Sequence, residues 1–332
     1  MERVTQMLSA GLLLAVLGGA FAAPWLAPHA GEEQFRDYLY APPMRVRIVD
    51  VEGQWRAPFV HRWRLADRVM RTFEEDRSER YPLRWFVRGR LVGLDAAARQ
   101  PLLLLGGDGL GRDLLSRLLL GARTTLGVAL LAAIGAVLLG VVVGGLAGYA
   151  GGAVDETLMR LADLVLVLPT IYAVLALRAV LPAVLSTATV FWLLVGLVSL
   201  VAWPYVARGV RAIVAAERGR EYTLAAVAVG AGPIRILVTH LLPATRGFLT
   251  VQATLLLPAF ILAEATLSYV GLGFAQPAAS WGAMLRDASN INTIADFPWL
   301  LSPAAAIIVV VFSVNVVSGA GGRGGALGAL TR

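Results

Sequence analysis

A run of nearly uncharged apolar stretches limits the fold most. A helix needs about 20 predominantly apolar residues to cross the hydrocarbon core of a bilayer. Stretches of that kind cover residues 7–28, 124–150, 161–181, 187–207, 248–272 and 299–319. Hydrophobic residues make up 58% of the 332-residue chain and charged residues only 15%, against about 25% charged in soluble domains. The expected fold is therefore an all-α integral membrane protein with six transmembrane helices. The first stretch also resembles a secretory signal, with Arg3, an apolar run and small residues at Ala20, Ala22 and Ala23. Its continuation through Trp25 and Leu26 fits an uncleaved anchor better.

Two absences narrow the chemistry. The chain has no cysteine, which excludes disulfides, thiolate nucleophiles and Cys-ligated metals. It also has no lysine, since all 29 basic residues are arginine. A P-loop uses a lysine to reach the β/γ-phosphates, so this polypeptide does not hydrolyse ATP by that route, and we expect it to be no enzyme. The net charge of +7 suits a membrane surface better than nucleic acid, given the apolar content. The histidines His29, His61 and His240 are far apart, and nothing in the pattern brings metal ligands together.

Residues 30–105 differ in kind. They are polar and arginine-dense, with interleaved acids that argue for a solvated face. Met44 to Val49 alternates as a short strand, and Arg84 to Arg90 reads as a strand running into a turn. Farther along, Gly140, Gly144, Gly145 and Gly148 give the second span small residues where another helix can approach closely.

Arginine bias in short loops sets orientation. Residues 208–246 carry Arg208, Arg211, Arg218, Arg220, Arg235 and Arg246 against Glu217 and Glu221, so this loop and both termini are expected in the cytoplasm. Residues 30–105 then lie outside. Within the loop, Glu221 stands at a helix start, where the positive dipole end favours an anion. Gly230 and Gly232 can end that helix, Pro233 suits the first turn of another, and Pro243 is expected to close it. Two short helices at an angle result, with small residues at Ala225, Ala226, Ala228 and Gly230. An amphipathic hairpin lying on lipid is the alternative.

The pattern Glu221, Ala225-Ala226, Gly230, Ile236 and Leu242-Pro243 resembles the "EAA" loop of binding-protein-dependent ABC-transporter permeases. Residues Gly107-Asp108-Gly109-Leu110-Gly111-Arg112-Asp113, followed by Ser116-Arg117, resemble the segment before the second helix in C-type subunits of the dipeptide/oligopeptide/nickel branch. That branch usually has threonine where Gly107 stands. Leu262-Ala263-Glu264-Ala265-Thr266-Leu267-Ser268-Tyr269, with Ser280-Trp281-Gly282 beyond, is a third match. The resemblance implies a type I importer permease with a larger mixed extracytoplasmic insertion after its first helix. Its organisation would be an anchor at 1–29, the insertion at 30–105, the permease domain at 106–320 and a cytoplasmic tail at 321–332. Implied partners are a second homologous permease subunit, two ATPase subunits carrying ATP and Mg, an extracytoplasmic solute-binding protein and the lipid bilayer of a bacterial inner membrane. No cofactor on this chain is implied. The Gly-rich stretch 318–325 departs from the family tail, and residues 30–105 look longer than most family members carry.

Glu264, inside a span, reads either as a pore or subunit contact or as a hydrogen-bonded structural acid. Trp281 reads as a gate or binding-protein contact, or as an interfacial anchor. Glu156, Arg160 and Asp163 are spaced for ion pairs along one helix face. An ion-driven transporter would need inverted repeats around a charged site, and an intramembrane hydrolase a nucleophile and base within the spans. The sequence displays neither.

Overall fold

A computed structural model describes residues 2–50, 52–87, 89–95, 100–169, 172, 175–176 and 185–329. Among them, four helices are long and apolar enough to cross a membrane: Leu114–Ala150, Thr187–Arg218, Pro233–Val270 and Pro298–Ser318. Met7–Phe21 is a shorter apolar helix. Of the six stretches expected from the sequence, that at 161–181 lies partly outside the described residues. Its described start belongs to a helix at Gly152–Val167. The last helix, Ser302–Ala329, runs on through the Gly-rich stretch.

The chain divides into two compact units, one of residues 1–10, 128–264 and 311–332, the other of residues 11–127 and 265–310. The second unit holds a four-stranded antiparallel sheet in the order β1-β2-β3-β4, with β1 at Arg47–Val49, β2 at Trp55–Asp67, β3 at Thr72–Val87 and β4 at Arg90–Leu94. Pairing runs His61↔Arg80 and then Arg62↔Asp76, so Arg77, Ser78 and Glu79 bulge out of β3. The His61 ring nitrogen Nδ1 meets the Glu79 carbonyl there at 3.0 Å. The sheet packs on a core of Tyr38, Ala41, Met44, Val60, Leu102 and Leu103.

In the first unit a glycine stripe sets helix packing. Added Cβ atoms at Gly140, Gly144 and Gly148 would stand 2.5 Å from Val206 Cβ, 2.3 Å from the Ala207 oxygen and 2.7 Å from the Arg211 oxygen. The four-residue spacing keeps the stripe on one face of Leu114–Ala150, so the backbone of Thr187–Arg218 can lie directly against it. Gly145 faces away, toward Leu237 and Leu242 at ordinary contact distance. Asp155, in the first turn of the helix Gly152–Val167, takes a hydrogen bond from Arg211 Nε shared between its two oxygens, at 2.9 and 3.1 Å. The Arg211 hydrogen bond holds the Asp155 carboxyl below its usual range. Arg160 pairs with Glu156 as the spacing suggests, but Asp163 pairs with Arg208 of the neighbouring helix instead.

Candidate functional site

The two short arms expected within 221–243, here called the elbow, follow directly from the helix Thr187–Arg218. Gly219 caps that helix, and the next begins after Arg220 and covers Glu221–Ala228. Two side chains of the new helix reach back over the turn. Thr223 Oγ1 donates to the Glu217 carbonyl at 2.9 Å, and the Tyr222 hydroxyl donates to the Glu217 carboxylate at 2.7 Å. The carboxylate contact raises the Tyr222 pKa above the usual phenol value.

Glycine chemistry ends the helix. Gly230 has φ +82°, its N–H donates to the Val227 carbonyl at 3.0 Å, and the Ala231 N–H donates to the Ala226 carbonyl at 3.0 Å. This pair of bonds is a Schellman cap. A Cβ at Gly230 would meet nothing within 4 Å, so the position needs glycine for its left-handed backbone rather than for space. Gly232 shares no such need, since its φ is −69°.

Pro233 opens the return arm at its first helical position, followed by a π-helical turn at Ile236–Leu241 and a 3₁₀ turn at Leu242–Thr245. The helix Arg246–Val270 then continues directly. Pro243 therefore does not close the second arm as the sequence suggested. Lacking an N–H, it sits at the tight start of the 3₁₀ turn, where that donor is not required. Ile236 and Leu241 are buried and anchor the arm. The His240 ring lies 6.4 Å from that of Tyr222 across the elbow. Ala225 is exposed and Ala226 half-buried, while Tyr222, Leu224, Val227, Val229 and Ile234 all face outward from the chain.

The second unit holds the other predicted motif. Asp108 Oδ1 accepts the N–H groups of Leu110 and Arg112, each at 2.9 Å, and its Oδ2 meets Arg112 Nε at 2.6 Å. Arg112 Nη2 reaches Asp287 at 3.0 Å, and Arg117 lies 3.5 Å from Asp108. Gly111 has φ +73°, and a Cβ there would stand 2.2 Å from the Phe35 oxygen. Asp113 caps the helix Leu114–Ala150 by accepting the Leu115 and Ser116 N–H groups. The Ser116 hydroxyl donates to Asp113 and accepts the His29 N–H at 2.9 Å. Asp108, Gly111, Arg112, Asp113, Ser116 and Arg117 thus form a clasp that ties 29–41 and Asp287 to the helix start.

Trp281 is fully buried, with its indole N–H donating to the Leu118 carbonyl at 3.0 Å, its backbone N–H to Thr125 Oγ1 and its ring edge against Gly121. Glu264 is also fully buried. Neither side chain reaches the surface of the chain. The signal that sequence reading missed is Asp287, 175 positions from Arg112 with no periodicity to link them. Among the described residues, no group of three His, Asp or Glu side chains is placed to hold a metal ion.

Comparison with known proteins settles the family. Residues 136–321 match the family described as "Binding-protein-dependent transport system inner membrane component". The chain belongs to this permease family. It is 38% identical over 213 residues to the oligopeptide transport system permease protein OppC of Bacillus subtilis, covering 64% of this chain and 67% of that protein. It is 31% identical over 307 residues to the di/tripeptide transport system permease protein DppC of Pseudomonas aeruginosa, covering 92% and 82%. The nickel transport system permease protein NikC of Escherichia coli is 36% identical over 216 residues, covering 65% and 76%. The permease segment so matched contains the elbow, Glu264 and Trp281, while the clasp residues Asp108 to Arg117 precede it.

Proposed function

We propose that the chain lines one half of the path of an ATP-driven importer for short peptides or nickel, and that separate ATPase subunits move it through the elbow at 221–241. The similarity to peptide and nickel permeases supports the substrate class. The observation that carries the coupling reading is the elbow itself. Its bend is fixed internally by the Gly230 cap and the Glu217 hydrogen bonds, yet it presents Tyr222, Leu224, Val227, Val229 and Ile234 to the outside. A rigid, exposed apolar projection suits a groove on a partner, and Ala225, Ala226 and Gly230 let it seat deeply.

In this reading ATP and Mg bind only on the two ATPase subunits, a second homologous permease completes the path, and an extracytoplasmic protein delivers the solute. ATP-driven closure shifts the elbow, and the packed helices carry that shift as rigid bodies. The loop 208–246 and both termini face the cytoplasm, while residues 30–105 form the outer insertion. Ile236 and Pro243 shape the return arm. Burial of Glu264 and Trp281 supports roles inside the subunit for both. Because the chain has no cysteine, Ala226→Cys gives a unique label. Membrane-impermeant maleimide should react with it in inverted but not in right-side-out vesicles, and a cross-linker should join it to an ATPase. Labelling from the outer face would refute the assignment.

A further inference from the structure

A cleft of about 500 Å³ opens within the second unit, between the segment after the first helix and the edge strand β4. Gln100 lines it. That residue is 7% exposed, and neither its amide oxygen nor its amide nitrogen has a hydrogen-bond partner among the described residues. Buried polar side chains are nearly always satisfied by the protein, by water or by a ligand. Of the other polar groups on the lining, Arg90 donates to the Ala27 carbonyl at 2.8 Å and His29 meets Asp113 at 3.2 Å, while the buried Tyr38 hydroxyl is also left without a hydrogen-bond partner among the described residues. Gln100 keeps both a donor and an acceptor unused at the edge of an open space.

We propose that this cleft binds a short peptide by its main chain, with Gln100 as the reading group. A carboxamide presents an acceptor and a donor side by side. In an extended chain the N–H and C=O of one residue point to the same side, which is how a strand pairs with its neighbour. The Gln100 amide can make that same pair of bonds. Phe35, Tyr38, Val92 and Leu102 supply apolar wall for a side chain. Glu33, Asp37 and Arg36 at the rim carry both signs of charge and form no ion pair among the described residues. Mixed charge suits a zwitterion and disfavours a free anion or a bare cation. The size lies within the range of small-ligand pockets, about 300–1,000 Å³.

The inference rests on the importer reading for its choice of peptide among amide-bearing molecules. The test uses the full chain in lipid nanodiscs without partner subunits, titrated with trialanine and followed by saturation-transfer NMR. Wild-type protein should bind saturably, and Gln100→Leu should lose at least about tenfold in affinity. The melting temperature of Gln100→Leu should be unchanged or higher, because an unmet buried amide has been removed. Gln100→Glu, which keeps the acceptor and loses the donor, should also bind more weakly. Absence of saturable binding by wild type, unaltered binding by Gln100→Leu, or a lowered melting temperature in that variant would each overturn the proposal. Should trialanine bind while no ATPase associates with the elbow, the importer reading falls and the peptide site stands.

Discussion

Gly144 lies directly on the backbone of Ala207: a Cβ on the glycine would stand 2.3 Å from the alanine's carbonyl oxygen. The neighbour is main chain, so it cannot swing aside as a flexible side chain would. Overpacking of this kind costs about 1–3 kcal/mol. Gly144→Ala should therefore lower the melting temperature and the yield of folded protein. Gly145→Ala, one residue on, should leave both nearly unchanged, because its nearest contact is the Leu242 side chain at 3.5 Å. Equal effects from the two variants would refute this packing.

The elbow yields a prediction about backbone rather than space. A residue with a Cβ at the φ +82° of Gly230 is disfavoured by about 1–2 kcal/mol, and asparagine tolerates that region better than alanine. Gly230→Ala should reduce substrate uptake more than Gly230→Asn, with both proteins inserted in the membrane at wild-type levels. Gly232→Ala should transport normally. If Gly230→Asn and Gly230→Ala are equally active, the left-handed cap is dispensable for coupling.

What could be read from the chain itself divides along physical lines. The long apolar helices and the glycine stripe were legible, because bilayer thickness and close helix approach impose patterns on contiguous residues. The elbow was legible as a bend, through Gly230 and Pro233. The passage through Pro243 was not, since a π turn followed by a 3₁₀ turn absorbs a proline without a stop signal. The long hairpin of β2 and β3 escaped except at its end, where Arg84 to Val87 reads as strand. A period-two signal is present in the rest of the hairpin, with Trp63 and Leu65 alternating with exposed Arg62 and Arg64, and Tyr81 and Leu83 with Arg80 and Pro82, but the bulge at Arg77–Glu79 interrupts it between the two runs. Asp287 joined the clasp only in three dimensions, since ion pairs distant in sequence leave no local trace.

The clasp makes an energetic prediction. Arg112 has a side chain 2% exposed and bridges Asp108 and Asp287. Removing one partner of a buried pair costs about 3–5 kcal/mol, because the other charge is left uncompensated. Arg112→Ala should destabilise strongly, and Asp287→Asn less, since Asp287 is 27% exposed. A double-mutant cycle on thermal unfolding should return a coupling of at least about 0.5 kcal/mol. Additive effects would show that the two groups do not interact.

Acid should act on the sheet through Asp50. Backbone N–H donation from Gln54 is the largest influence on its carboxyl; burial opposes it, and the Arg56 hydrogen bond and the Glu52 N–H add to it, leaving the pKa below the ordinary value. A group whose folded pKa is depressed stabilises the fold above its unfolded pKa, about 3.9 for aspartate, and that stabilisation is lost as pH falls through the folded value. The melting temperature should thus drop as pH is lowered below about 4. Asp50→Asn should melt lower at neutral pH, because Arg56 and Arg80 at 3.0 and 2.9 Å lose their shared carboxylate. Its pH dependence should also be shallower than wild type in the acid range. A variant with the full wild-type acid slope would place the titrating group elsewhere.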